Sequence, residues 1–197
     1  MRNINYMLIA LMALMVGQAQ GEIQPIVFSN PTYTGTGCPK GSVAFLATED
    51  AFTLTFSNYT AELGASVSPK LKFRYCNIQL WVTAPAGFNA EVENIDYRGY
   101  TSVDNKTYSF VTSFFQLGST QFGSSKAQFF KGPGEFDFFK TDKPYFTKKQ
   151  SCSQGRAIPL SIFNSLTVVG DKQRNAVMTL DSIDGVVQAK LRLKPCF

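Results

Sequence analysis

Apolar and polar residues alternate singly along most of this chain, the period of a strand with one buried face. The cleanest case is the last segment, where Val187, Ala189, Leu191 and Leu193 interleave with Gln188, Lys190, Arg192 and Lys194. One face is apolar and the other basic, as in an antiparallel sheet wetted on one side. "FTLTFS" (52–57) repeats the pattern with Phe52, Leu54 and Phe56 against Thr53, Thr55 and Ser57. "SVAFLAT" (42–48) and "YSFVTSFFQL" (108–117) read as further strands.

Two segments change parity midway. Leu71, Phe73 and Tyr75 share one register, while Cys76, Ile78, Leu80 and Val82 share the other. Phe88, Ala90 and Val92 are likewise out of step with Ile95 and Tyr97. One extra residue flips every later side chain, so the pattern predicts a bulge near Cys76 and another between Val92 and Ile95. "PAG" (85–87) and "SVDNKT" (102–107) carry turn chemistry. No long stretch holds a 3.6-residue period. Short strands joined by Gly, Pro, Asn and Asp predict an all-β fold: a single antiparallel β-sandwich or jelly-roll-like domain.

The N-terminus departs from this pattern. One basic residue (Arg2), ten apolar residues (Met7–Val16) and the small-residue stretch "GQAQG" read as a secretory signal peptide over 1–21. Ten residues are too few to span a bilayer, which takes roughly 20, and no later segment reads as a membrane span. Residues 22–197 form the expected secreted domain. All its cysteines (Cys38, Cys76, Cys152 and Cys196) make an even set in an exported chain, which predicts two disulfides. Three connectivities are open, and the local one, Cys38 with Cys76 and Cys152 with Cys196, is preferred.

The chain contains no histidine. That excludes Ser-His-Asp and Cys-His nucleophiles and His-ligated zinc or copper, and no cofactor, metal site or catalytic residue is assigned. A formal net charge of +5 is a mild excess, compatible with an acidic surface as partner but mostly ordinary solubilising charge. No nucleic-acid partner is expected.

Few local stretches suggest function. "LDSIDG" (180–185) lacks the alternating ligands of an EF-hand loop, and Asp-Gly between two alternating strands predicts a hairpin bend. "YRGY" places Arg98 beside Tyr97, able to stack on a sugar, although an arginine on a polar strand face is the plainer reading. Glu91/Glu93 and Glu135/Asp137 lie two apart, on one face of a strand, and read as solvated pairs rather than a glycosidase couple. The segment 126–149 is the best binding candidate, with seven aromatics and six lysines. "KGPG" and "DKP" interrupt any long strand there. Its alternation turns Phe136 and Phe138 one way and Phe139 the other. Phe139, Lys140, Lys143 and Tyr145, with Tyr97 and Arg98, are the expected ligand-binding residues. Two sequons offer glycosylation sites: Asn105 in a polar turn, and Asn58, which follows an apolar strand and is expected to be less accessible.

Taken in order, "GCPKGSVA", "FTLTFSNYTAELG", "YCNIQLWVTAPAGF", "IDYRGY", "FFKGP" and "LDSIDG" resemble the secreted family known as domain of unknown function 4360. The resemblance runs from about Gly37 to Cys196. It implies secretion and a β-rich fold, places the four cysteines where that family has them, and transfers no active site. "SCSQG" around Cys152 departs from the Cys-Gly pair of the family. The expected function is a secreted, non-enzymatic β-sandwich that binds an extracellular or cell-wall glycan. A carbohydrate-active enzyme on the same fold, using carboxylate or Tyr/Lys/Arg chemistry, and a structural coat protein are the alternatives.

Overall fold

The computed structural model describes residues 25–124, 126–146, 152, 154–180 and 186–196. The expected signal peptide and the residues Asp181–Gly185 lie outside them. Among the described residues, fourteen strands follow one another: β1 (Val27–Thr34), β2 (Val43–Ala47), β3 (Ala51–Phe56), β4 (Thr60–Leu63), β5 (Phe73–Thr83), β6 (Phe88–Val103), β7 (Tyr108–Leu117), β8 (Gln121–Ser124), β9 (Gln128–Lys131), β10 (Gly134–Asp142), β11 (Tyr145–Phe146), β12 (Ile158–Val169), β13 (Ala176–Thr179) and β14 (Val186–Pro195). One 3-10 turn, Pro69–Lys72, precedes β5. None of the helices among the described residues is long and apolar enough to cross a membrane.

The strands form two antiparallel sheets. The first runs β1-β5-β12-β7-β8-β11, with β9 also on β7. The second is built on β6, which pairs β10 along one edge and β13 and β14 along the other. Beyond these lie β4, β3 and β2. Leu54, Ile95 and Val187 of the second sheet and Ile78, Leu160, Ile162 and Phe115 of the first are fully buried in one apolar cluster. This shared core is what alternation on both sheets produces. Tyr59 crosses it: its hydroxyl donates to the Asn164 carbonyl at 2.7 Å, tying the sheets with a satisfied polar contact.

The disulfides are Cys38–Cys76 and Cys152–Cys196, the local pairing. Gly87 in the 85–87 turn has φ +84°, a conformation glycine adopts without strain, and Phe88 N donates to Pro85 O to close the turn. The bulge in β6 is present: Lys190 pairs with Asn94 and Leu191 with Val92, leaving Glu93 as the extra residue.

Three expectations are corrected. β5 pairs β12 without interruption from Phe73 to Val82, so there is no bulge at Cys76. The irregularity sits on the neighbouring β1, between Ser29 and Thr32. Phe73 and Tyr75 mimic a parity change because they are large aromatics on the outward face. The hairpin expected at 180–185 is also not formed by the flanking strands. Residues 95–98 of β6 pair with both β10 and β14, and 100–103 with both β10 and β13. β13 and β14 therefore run one after the other along the same edge of β6, in the same direction. Finally, Asn58 is exposed, as is Asn105, because β3 ends two residues before it and the chain bends there.

Candidate functional site

The segment singled out by its rings and lysines forms β9, β10 and β11 at one edge of the sandwich. Along β10 the even residues point inward and the odd ones outward. Phe138 is 5 % exposed, Phe136 is half-buried, and Phe139 is 55 % exposed. The Arg98 guanidinium lies over the Phe139 ring, 5.2 Å from its centroid, as expected for cross-strand partners. Tyr145 is exposed, its ring 6.4 Å from that of Phe122. Lys143 is exposed beside a groove of about 460 Å³ that Lys126, Gln128, Phe139 and Thr141 also line.

Lys140 and Tyr97, expected to face a ligand, lie inside. Lys140 shares parity with Phe138, and its ammonium reaches Asp142, donates to Ser113 Oγ at 2.8 Å and sits 4.9 Å from the Tyr97 ring centroid. The Tyr97 hydroxyl is buried beside Ser113 and Asp142 without completing a hydrogen bond of ordinary geometry. Burial lowers the Lys140 pKa from the usual lysine range, against the opposing pull of Asp142. Burial also pushes the Tyr97 phenol well above 10.0, reinforced by the Asp142 charge. The cluster is an ion pair enclosed by aromatic and hydroxyl groups, adjoining the groove but turned away from solvent.

The carboxylate pairs separate. Glu135 and Asp137 project to solvent from one strand. Glu91 is buried on its side of the bulge, with Arg192 and Lys194 each at 3.1 Å, while Glu93 pairs with Lys190 at 3.3 Å. Glu91 is thus not the solvated residue the spacing implied. The pairing of β10 with β6 ends at Ile95, and beyond it Gln121 of the opposite sheet binds the Val92 backbone through contacts of 2.9 Å to both N and O.

A second surface escaped the sequence reading. Through β5, β12 and β7, the central strands of the first sheet, no outward position carries a charge. Aromatics alternate there with amides and hydroxyls such as Asn77, Gln79, Gln116, Ser161 and Ser165. The rings make a diagonal strip across the sheet. Phe73 stacks on Tyr75 at 5.9 Å and Tyr75 on Phe163 at 6.0 Å. Phe163 is the cross-strand partner of Phe114. Phe114 to Phe122 and Phe122 to Tyr145 are each 6.4 Å. Trp81 stands on the same face, 43 % exposed. The outer face of the second sheet is the opposite in character, with Lys190, Arg192, Lys194, Glu93, Asp96 and Arg98. The signal for the strip lay in the parity of 73–81: Phe73, Tyr75 and Trp81 fall in step with Asn77 and Gln79, not with the core residues.

Residues 24–196 match the family model described as Domain of unknown function (DUF4360). The "Uncharacterized secreted protein" of Arthroderma benhamiae is 29 % identical over 157 residues, 78 % of this chain and 64 % of the relative. The chain thus spans less than two thirds of the curated relative it matches. Among solved structures, the chain is similar to TmCBM61 in complex with beta-1,4-galactotriose, at 12 % identity and a TM-score of 0.26. That match covers 82 % of this chain and 89 % of the other, and a superposition so loose carries no argument about ligand.

Proposed function

The chain belongs to the DUF4360 family and is secreted, and from that premise we propose that it is an extracellular binding protein whose ligand is a neutral glycan, held on the outer face of the first sheet. One observation carries the reading: a strip of six partly exposed rings, set among amides and hydroxyls, crosses a sheet whose central strands carry no outward charge. Extended apolar surface of this kind on a secreted protein marks an interaction site. Flat rings accept the C–H faces of sugars, and the amides and hydroxyls between them match sugar hydroxyls. The absence of charge argues against an acidic polymer here, since such a ligand would call for lysine or arginine.

The enzymatic alternative finds less support. Glu91 is locked between two cations, Asp142 is paired with Lys140, and Glu135 and Asp137 leave the same strand side by side. None of these pairs straddles a cleft as a glycosidase couple does.

Retention of the mature protein on insoluble β-glucan, chitin, cellulose and galactan tests the proposal. Trp81→Ala, Phe114→Ala and Tyr145→Ala should each weaken retention by about 1 kcal/mol with only a small drop in melting temperature, because all three rings stand on the outer face and outside the core. Raising NaCl should leave binding to a neutral polymer unchanged. Retention only on acidic polymers, abolished by salt and indifferent to the three substitutions, would place the ligand elsewhere.

A further inference from the structure

A separate pocket of about 430 Å³ opens where β7 begins and β9 ends. Its walls are the rings of Tyr108, Phe129 and Phe130, and its charged groups are Lys106 and Lys131. The walls are built before any ligand arrives. Tyr108 pairs with Lys131 and Phe110 with Phe129 across the ladder, and Gly132 N donates to Thr107 O at 3.0 Å. Phe130 is backed by Phe136 and Phe138, with ring centroids 5.6 and 5.3 Å away. Lys106 occupies the left-handed region at φ +62°. It is held there by a turn in which both the amide and the hydroxyl of Thr107 donate to Asp104 O.

Among the described residues, neither Lys106 nor Lys131 has a carboxylate within salt-bridge distance. The nearby Asp104 carboxylate accepts from Asn175 N at 2.8 Å. Two unpaired ammonium groups therefore border an apolar hollow the size of a small-ligand site. The Thr107 hydroxyl is already engaged, so the Tyr108 phenol is the one neutral side-chain group the lining leaves for hydrogen bonding. A sugar entering it would leave hydroxyls unpaired, which is costly. An apolar body with one anionic head leaves none.

We propose that this pocket binds a small amphiphilic carboxylate, its apolar body between Phe129 and Tyr108 and its carboxylate between Lys106 and Lys131. Flat aromatic acids and medium-chain fatty acids share that chemistry. The site is independent of the glycan strip, and its test does not depend on that reading.

Trans-cinnamate and decanoate serve as the two probes, titrated calorimetrically into the oxidised mature chain, with cinnamyl alcohol as the uncharged control. Saturable binding of at least one acid is expected, at least tenfold tighter than the alcohol. The tighter of the two acids identifies the body as a flat ring or an alkyl chain. Lys106→Gln and Lys131→Gln should each weaken it by roughly tenfold, the scale of one charge-assisted hydrogen bond. Phe129→Ala should weaken it further while the melting temperature holds, since that ring is 64 % exposed. Failure of both acids to bind, equal binding of the alcohol, or unaltered binding in both lysine variants would overturn the assignment.

Discussion

Removing the Asp142 carboxylate should turn Lys140 from one half of a buried ion pair into a buried cation without a counter-charge. The side chains of Lys140 and Asp142 are 6 % and 2 % exposed, so water cannot replace the lost partner. Breaking one side of a buried pair costs about 3–5 kcal/mol. A ceiling follows from lysine chemistry, because the side chain can release its proton instead of staying charged. From a reference value near 10.5, neutralising a lysine costs about 1.36 kcal/mol per pH unit, or about 5 kcal/mol at pH 7 and about 2 kcal/mol at pH 9. Asp142→Ala should therefore lose about 3–5 kcal/mol at pH 7, and no more than about 2 kcal/mol at pH 9. The sign follows from proton counts: the unfolded variant holds a proton on Lys140 that the folded variant has given up, so its stability rises with pH. At 2–4 °C per kcal/mol, the pH 7 loss corresponds to roughly 6–20 °C in Tm. Urea titrations of both proteins at the two pH values measure it. Lys140→Met combined with Asp142→Leu should recover most of the loss, because an apolar pair of similar volume carries no desolvation cost. A deficit below about 1 kcal/mol at pH 7, or one equal at both pH values, would refute the picture of a dry ion pair.

Two further outcomes follow from burial. Phe138→Ala should cost about 3–5 kcal/mol by leaving a cavity against Phe130, whereas Phe139→Ala should change stability by no more than about 0.5 kcal/mol; equal losses in a denaturant titration would contradict the inward and outward assignment along β10. Burial holds the phenols of Tyr59 and Tyr97 well above 10.0, so the stability they contribute is complete below pH 10 and lost as pH rises through their folded values, by up to about 1.4 kcal/mol per pH unit each. Lys140, with its lowered value, works against them just below 10.5, one group against two, so the melting temperature should fall above pH 10. Tyrosinate absorbance from both residues appearing while the fold stays intact would show that they are not enclosed.

Two faces of different chemistry on one sandwich also explain why charge alone is a poor guide to partners here. The formal excess of +5 belongs to the whole chain, but the cations of β14 are largely engaged with Glu91 and Glu93. What remains available for recognition is uncharged on the central strands of the first sheet and basic at local points such as Lys106, Lys131 and Lys143.

Local period and turn chemistry determined much of this protein without help. β7 and β14 lie where alternation puts them, because a strand with one buried face must repeat every two residues. The bulge at Glu93 was legible because both flanking registers end in core residues, Val92 and Ile95, and only an inserted residue reconciles them. The absence of histidine closed whole classes of catalysis by composition alone. Parity, however, says only that two sets of side chains face opposite ways, not which set meets the core. Phe73 and Tyr75 looked like core residues and became surface, since Cys76, Ile78 and Leu80 on the other parity meet the second sheet. Lys140 looked like surface and became core, because its ammonium finds Asp142 on its own strand, the ring of its cross-strand partner Tyr97 on β6, and Ser113 on β7, the last brought near only by the stacking of two sheets. "LDSIDG" bears the chemistry of a bend, yet the strands on either side both pair with β6, an arrangement set by how long β6 is and how many partners it takes. The aromatic strip has the same origin: its six rings come from five strands, and only strand order and register set them in a line.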